Sequence, residues 1–600
     1  MAKRFGVDDV IKYIFLPDGI ESDLEDGDDD EEKMYVDDDL VDPDYTPAQD
    51  INAGPLEIEV EESGSIDEEE DQVLLSCISS ETDAGEDQTN TQQKKKYRWR
   101  KKAYTFPDVS FKGEFSTPPD EIPTPLQYFK LFLNDDCMAY IAEQTNCYAL
   151  AKDGKVVGTS AKEIEQFFGI LLFTGIFPCR AYTTYWSNFS RFPLIADIMS
   201  RNRFQDHLRY IHFNNNAEMK ARDHPDYDPL FKVSPLLKRL RDAMSQLEPE
   251  ERHSVDEQMI PFKGRSGIKQ YIKNKPHRWG FKVFARAGMS GMIYDFMVYT
   301  GKAMKLPGNL GVAGNVVMRL VNNLPEDKNF KVYFDNWFSS VDLVCLLKQQ
   351  NIWSVGTIRS NRLKGCTLKS DKELKQLGRG SLDYKCEDTE GVSIVKWCDN
   401  KAVHLISTYC SIDPADKCKR WSVAEKKRID VERPYVVKEY NQHMGGVGLC
   451  DMMLELYRTD IRSKKWYMRI VYYCLDVAVL NAWLLYRRHL AQNNQPRYLP
   501  LKDFRSSIAS ALTLAGKQKI KKRGRPSLND ESRCSSKKTK KALPVTDVRY
   551  DGLHHWPHHI AKRMRCRYCP SGYTRVQCSK CLVGLCLNER NNCFMAFHTK

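Results

Sequence analysis

SVDEQMIPF (Ser254–Phe262) and KVYFDNWFSS (Lys331–Ser340) are the two stretches on which the reading of this chain turns. Each sets an aspartate, Asp256 or Asp335, at or near the end of an apolar, β-prone run, and each is followed by residues that can turn back into the fold. A lone aspartate at a strand end is most often a turn former, and Ser339 or Ser340 could cap a following helix. Two aspartates delivered to one sheet edge are a different matter. They form an all-oxygen site suited to Mg²⁺, of the kind that runs in-line phosphoryl transfer with two metals about 4 Å apart.

The surroundings follow a regular order. SVDEQMIPF, GFKVFARA and MIYDFMVYTG read as three strands, followed by a helix near Val312–Asn323 and the strand FKVYFDNWF. A helix at Val341–Gln349 and the strand SVGTIRS come next. This is the ribonuclease-H-like order, in which the first and fourth strands lie side by side and carry the first two metal-binding carboxylates. The expected class is therefore α/β. The core spans 251–361 and closes with a helix in 433–456, and the polar, Lys-rich stretch 362–432 reads as an inserted domain. Residues 118–250 and 457–515 are largely helical, with Pro125 at a helix start and Leu126, Phe129, Phe132 and Leu133 in a helical stripe. The longest apolar run, Ile470–Tyr486, is interrupted by Asp476 and Asn481 and reads as a buried helix, so no membrane partner is expected.

Charge is unevenly distributed. The net charge is +9, yet the first 90 residues hold 31 Asp+Glu against 4 Lys+Arg, leaving the rest strongly basic. Residues 1–92 read as an acidic disordered tail and 93–117 as a basic linker opened by QKKKYRWRKK (Gln93–Lys102). The basic body points to a nucleic-acid partner with which the tail would compete. Deleting the tail should then tighten DNA binding at low salt. There is no basic segment followed by an apolar one at the N-terminus, so secretion is not expected. Thirteen of the 19 cysteines are scattered as reduced thiols are, and six crowd into the last 35 residues.

Lys273, Lys275, His277, Arg278 and Lys282 surround the first strands and are candidate phosphate contacts. Trp337 reads as core rather than as a base-stacking platform. In the basic linker 516–549, Arg523 and Arg525 of RGRP fit either an A·T-rich minor groove or a nuclear-import signal. In the terminal segment 550–600, the pairs Cys566/Cys569 and Cys578/Cys581 precede Cys586, Cys593 and His598 with the spacing of structural zinc sites.

SVDEQMIPFKGR, YIKNKPHRWGFKV, FDNWFSS, VGTIRSNR and YNQHMGGVGLCDMM, in this order, resemble the successive signatures of piggyBac-type transposases and their domesticated descendants. The resemblance covers about 480 residues. It implies a nuclear, homodimeric cut-and-paste recombinase with a split RNase-H-like core, acting on double-stranded DNA with TTAA-flanked ends. It also implies catalytic Mg²⁺ held by Asp256 and Asp335. The third catalytic aspartate normally closes a GGVD string; here the string is GGVG, and Gly448 occupies the position. Asp451, three residues on and on the same helix face, is the tentative substitute, with Glu455 a poorer one. The resemblance also supplies His555 as an upstream zinc ligand, with His554, His558 and His559 as competitors. Eight ligands then suit two cross-braced zincs, grouped as His555, Cys566, Cys569 and Cys586, and as Cys578, Cys581, Cys593 and His598. Three functions are compatible: a piggyBac-derived DNA-binding protein with impaired transposition, an active transposase using Asp451, or a nuclear chromatin scaffold.

Overall fold

The computed structural model describes residues 97–516 and 544–599, apart from 103, 104, 274, 302, 303, 305, 423, 424, 496 and 545. The acidic tail 1–92, Arg523 and Arg525 lie outside the described residues. The chain divides into two compact units, Met1–Lys517 and Gln518–Lys600.

The first unit is built on a ten-stranded mixed sheet. Its strands are β1 (Trp99–Arg100), β2 (Arg252–Pro261), β3 (Gln270–Tyr271), β4 (Trp279–Gly288), β5 (Ile293–Val298), β6 (Lys331–Phe334), β7 (Trp353–Thr357), β8 (Leu382–Glu387), β9 (Val392–Cys398) and β10 (Ala402–Ser407). The order across the sheet is β1-β8-β9-β10-β7-β6-β2-β4-β3, with β5 also paired to β4. Strands β2, β6 and β7 are parallel, whereas β4 and β5 are antiparallel additions. This is the α/β arrangement expected from the element order.

Helices cover both faces, because a sheet containing parallel strands must bury both. One face holds α6 (Gly311–Val321) and α7 (Val341–Gln349), whose Val316, Val317, Val344 and Leu347 meet Val255, Phe284 and Phe334. The other face receives the helices that flank the core in sequence. These are α1 (Pro125–Lys130), α2 (Asp135–Asp153), α3 (Ala161–Ile176), α4 (Arg201–Tyr210) and α5 (Ser234–Ser245), followed by α8 (Tyr435–His443), α9 (Gly446–Leu456), α10 (Tyr467–Gln492) and α11 (Leu501–Thr513). Thr124 opens α1 and Ser160 opens α3, each with a reciprocal capping box.

The polar residues of α10 have clear partners. Asn481 pairs with the backbone of Ile293, accepting from its N–H at 3.0 Å and donating to its carbonyl at 2.7 Å, as a neighbouring strand would. Asp476 is ion-paired to the buried Arg505 of α11. The helix is long and apolar enough to cross a membrane, but it is the central core helix of this unit.

Two segments differ from their sequence reading. The stretch read as an inserted domain is largely continuous with the main sheet: β10 pairs antiparallel with β7, and β9 and β8 extend from it. An unpaired edge on β7 is a template for a further strand. The hairpin of β11 (Asp416–Ser422) and β12 (Lys427–Arg433) forms its own two-stranded sheet. The basic run read as a linker contributes β1 to the far edge, where Arg100 and Lys102 pair with Asp388 and Lys101 pairs with Asp383.

His207 of α4 is fully buried against Phe167, and neither ring nitrogen has a hydrogen-bond partner among the described residues. Burial pushes its pKa down to about 4, against roughly 6.5 in an unfolded chain. Between these values the unfolded state binds a proton that the native state does not. The associated stability is therefore complete above pH ~6.5 and falls, by about 3 kcal/mol, as the pH drops to 4. Urea melts at pH 7 and 4.5 should show this loss, and His207→Leu should reduce it; an equal loss in the variant contradicts the assignment.

Candidate functional site

Parallel pairing of β2 with β6 aligns Val255 with Phe334. The next residue in each segment is an aspartate: Asp256 continues along β2, still paired with Ala285 of β4, and Asp335 lies just past the end of β6 beside it. Their carboxylate oxygens and that of Glu257 all lie within 4.8 Å of one another. Asp335 is fixed by the turn after β6: its Oδ1 accepts from the Trp337 N–H at 2.9 Å. Ser340 caps α7, accepting from Leu343 N–H at 3.2 Å, and Ser339 donates to the Asp335 carbonyl at 2.9 Å. Trp337 stacks on Phe284 at 5.2 Å, as core.

Three converging carboxylates strain one another. Burial, then the charge of Glu257, holds Asp256 up at about 8, and the same two causes raise Asp335. Burial alone would raise Glu257, but Lys275 and Lys282 outweigh it and keep Glu257 ionised. An all-oxygen donor set of three crowded carboxylates fits Mg²⁺.

Glu257 was not singled out from the sequence. Alternation along β2 sets it on the α6/α7 side, opposite Asp256. However, β6 stops at Phe334, and nothing beyond it separates the two sides. The available signal was an adjacent acidic pair placed where its partner strand ends.

Of the basic candidates, Lys275 and Lys282 reach this centre. Lys275 Nζ is 3.3 Å from Glu257 Oε1, and Lys282 Nζ sits 4.7 Å from the Trp337 ring centroid. Lys273 and Arg278 are exposed in the β3–β4 turn, and His277 approaches Glu455 at 3.4 Å. An exposed cation–aromatic cluster next to them went unnoticed in the sequence: Lys269 lies 4.6 Å from the ring of Trp279, which contacts Tyr271.

Helix α9 docks on the same sheet. Gly446 is forced by close approach, since a Cβ there would stand 2.4 Å from the Gly288 carbonyl. Val447 N–H donates to Ser254 Oγ at 2.9 Å. At Gly448 the situation is reversed, and a Cβ would meet nothing within 4 Å. Asp451 lies outside the carboxylate cluster. Burial raises it and Arg458 and Lys275 oppose the rise, and it lines a cavity of about 30 Å³ with Arg458, Arg469 and Tyr472.

The second unit carries two tetrads. Strands β13 (Pro557–Arg565) and β14 (Tyr573–Cys578) and the short helix α12 (Cys593–His598) bring Cys566, Cys569, Cys586 and Cys593 together in one, and His555, Cys578, Cys581 and His598 in the other. The cross-braced order holds, but the grouping expected from sequence does not: His555 and Cys593 exchange places. Cys593 starts α12 beside the first knuckle, and His598, a turn later, reaches the second.

His555 Nε2 lies 3.0 Å from both Asp551 Oδ1 and the Val548 carbonyl, which leaves Nδ1 facing Cys578 and Cys581 at 3.4 and 3.5 Å. His598 donates Nδ1–H to the Phe594 carbonyl, and its buried Nε2 has no hydrogen-bond partner among the described residues. Burial, then the neighbouring thiols, push Cys581 and Cys593 up to about 11 and Cys586 to about 12. Thiols crowded in this way, with one imidazole nitrogen left free, are a donor set that could hold zinc.

Asp256 within β2 and Asp335 just past the end of β6 meet where the parallel pairing of these strands stops, in a mixed α/β fold with helices on both faces. The model of the Transposase IS4 family matches residues 124–483. PiggyBac transposable element-derived protein 2 of Homo sapiens is 31% identical over 454 residues, covering 75% of this chain and 72% of the relative. PiggyBac transposable element-derived protein 3 of Homo sapiens is 29% identical over 513 residues, covering 84% and 81%. The cryo-EM structure of a piggyBac transposase synaptic complex with hairpin DNA shares the fold at a TM-score of 0.57 and 22% identity, covering 78% of this chain and 97% of that one. This chain belongs to the piggyBac transposase family.

Proposed function

We propose that this chain is a nuclear, transposon-derived DNA-binding protein whose cut-and-paste activity is impaired. The observation that carries this reading is the open space at Gly448, where the family resemblance sets a third metal-binding carboxylate. Asp256 and Asp335 would hold Mg²⁺, which when bound supplies Lewis-acid activation of a phosphodiester and of the attacking water. Around that centre, Lys275 and Lys282 steady the carboxylates and, with Lys273 and Arg278, face a DNA backbone. The terminal Cys/His unit would hold two structural zincs and contact double-stranded DNA, including TTAA-flanked ends, within a homodimer.

The test is excision of a matched donor element by the natural chain and by Gly448→Asp. An added Cβ meets no clash, and placing a missing ligand is expected to raise excision about a hundredfold, with tighter Mn²⁺ binding by calorimetry. Equal excision and equal Mn²⁺ affinity reject the impairment. One observation favours retained activity: Glu257 already contributes a third carboxylate to the cluster. On that reading Glu257→Gln abolishes excision by the natural chain, whereas Asp451→Asn separately tests the tentative substitute.

A further inference from the structure

The β11–β12 hairpin stands apart from the main sheet, and its two faces differ. Alternation turns Cys418 and Val431 inward, where they join a core cluster with Trp397 and Val436, and turns Lys417, Lys419 and Trp421 outward. Polar bonds fix the hairpin in place. Asp399, in the turn between β9 and β10, accepts from Arg420 at 2.9 Å and also from Arg379, and Arg379 donates to the Trp421 carbonyl at 2.7 Å. At the other end Arg433 donates to both oxygens of Asp416, at 2.9 and 2.7 Å, and the Trp397 indole donates to the Glu432 carbonyl at 2.9 Å. Held at both ends, the hairpin is a preorganised arm.

Its outer face changes character along its length. At the base, Glu432 stands opposite Lys417 and Asp430 opposite Lys419, so charge is matched across the strands. Near the tip, Trp421 stands opposite Arg428, and Lys426 and Lys427 lead into β12. Residues 416–433 hold seven Lys and Arg against four Asp and Glu, so the arm is basic. Trp421 is 57% exposed, and its indole makes no hydrogen bond, ring contact or cation–π contact among the described residues. An indole held in water in this way contributes little to the fold, and gains free energy when a partner covers it. An open ring face suits another flat ring, and the cations beside it suit a polyanion. An unpaired base on its phosphate backbone offers both, whereas an acidic peptide offers only the second.

We propose that Trp421 is a stacking platform for an unpaired DNA base, with Arg428 and Lys426 contacting the adjoining phosphates. This rests on the DNA-binding reading above and adds to it the structural feature of the DNA that the arm selects. It does not depend on whether the chain cuts DNA.

The test uses the full-length chain and two probes: a blunt DNA duplex, and the same duplex with a single-stranded extension carrying 2-aminopurine, whose fluorescence falls when it stacks. The natural chain is expected to bind the extended duplex more tightly and to quench the 2-aminopurine. Trp421→Ala abolishes the quench and weakens binding of the extended duplex about fivefold or more, with the blunt duplex unaffected, while Trp421→Phe keeps most of the quench. Unchanged thermal melts of both variants confirm that the fold is intact. Equal affinity of the natural chain for the two probes, or an equal loss on both in Trp421→Ala, overturns the inference and leaves the DNA-binding reading standing. Binding to neither probe overturns both. A polyglutamate peptide that binds the natural chain but not Trp421→Ala, with no quench on DNA, gives the face to an acidic protein partner and overturns the inference as well.

Discussion

Cys593→Ser should remove one of the two zinc ions proposed for the terminal unit, and adding Cys566→Ser should remove no more. Geometry groups Cys593 with Cys566, Cys569 and Cys586, so the two substitutions strike a single site. Pairing Cys593→Ser with Cys578→Ser strikes both sites and leaves none. The sequence-derived grouping predicts the reverse, because it joins Cys593 to Cys578. Native mass spectrometry of the full chain counts the ions directly. The accompanying stability change is large. Val576, Val583, Leu585, Phe594 and Phe597 are nearly all the apolar core this unit has beyond its cysteines, too little to fold an unaided chain of this size. Structural zinc in small modules contributes about 10–16 kcal/mol of apparent binding free energy. Loss of either ion should therefore melt β13, β14 and α12 while the first unit keeps its own transition. Two ions lost on Cys593→Ser with Cys566→Ser reject the geometric grouping.

The first unit has a comparable point of dependence at Asp476. Its carboxylate accepts from Arg505 at 2.8 Å and from the Thr459 hydroxyl and N–H at 2.8 and 2.9 Å. Arg505 also donates to the Leu172 carbonyl at 3.2 Å. All three side chains are buried, and the cluster joins α3, the α9–α10 connection, α10 and α11. Removing one member strands a charge where water cannot reach it, at a cost of about 3–5 kcal/mol. Asp476→Ala should shift the urea midpoint of the first unit accordingly. Asp476→Leu combined with Arg505→Met should recover part of the loss, because the pair is then absent rather than broken. A double variant no more stable than the single one shows that the hydrogen bonds to Thr459 and Leu172, rather than the charge, carry the effect.

Much of the carboxylate cluster was legible from strand order. Once SVDEQMIPF is read as the first strand and FKVYFDNWF as the fourth, adjacency of Asp256 and Asp335 follows from parallel pairing. Glu257 was not legible, because alternation argues against a neighbour sharing a site, and only the early end of β6 overrides it. The cores behind α10 were legible from its apolar run, whereas the partners of Asp476 and Asn481 were not. A polar residue inside such a run signals that a partner exists without saying which one, and here Arg505 is 29 residues away and Ile293 is 188 away.

By itself the amino-acid sequence determined the periodicities, the order of strands and helices, the residue types able to bind Mg²⁺ and zinc, and the glycine standing where an aspartate was expected. These are local properties, set by side-chain chemistry and spacing. Tertiary structure alone decided which thiols cluster together, that β8–β10 extend the main sheet, that Lys275 reaches Glu257, and that there is room for a Cβ at position 448 and none at 446. Each of these depends on distances between segments remote in the chain. Such distances follow from how sheet and helices pack, and no local pattern encodes them.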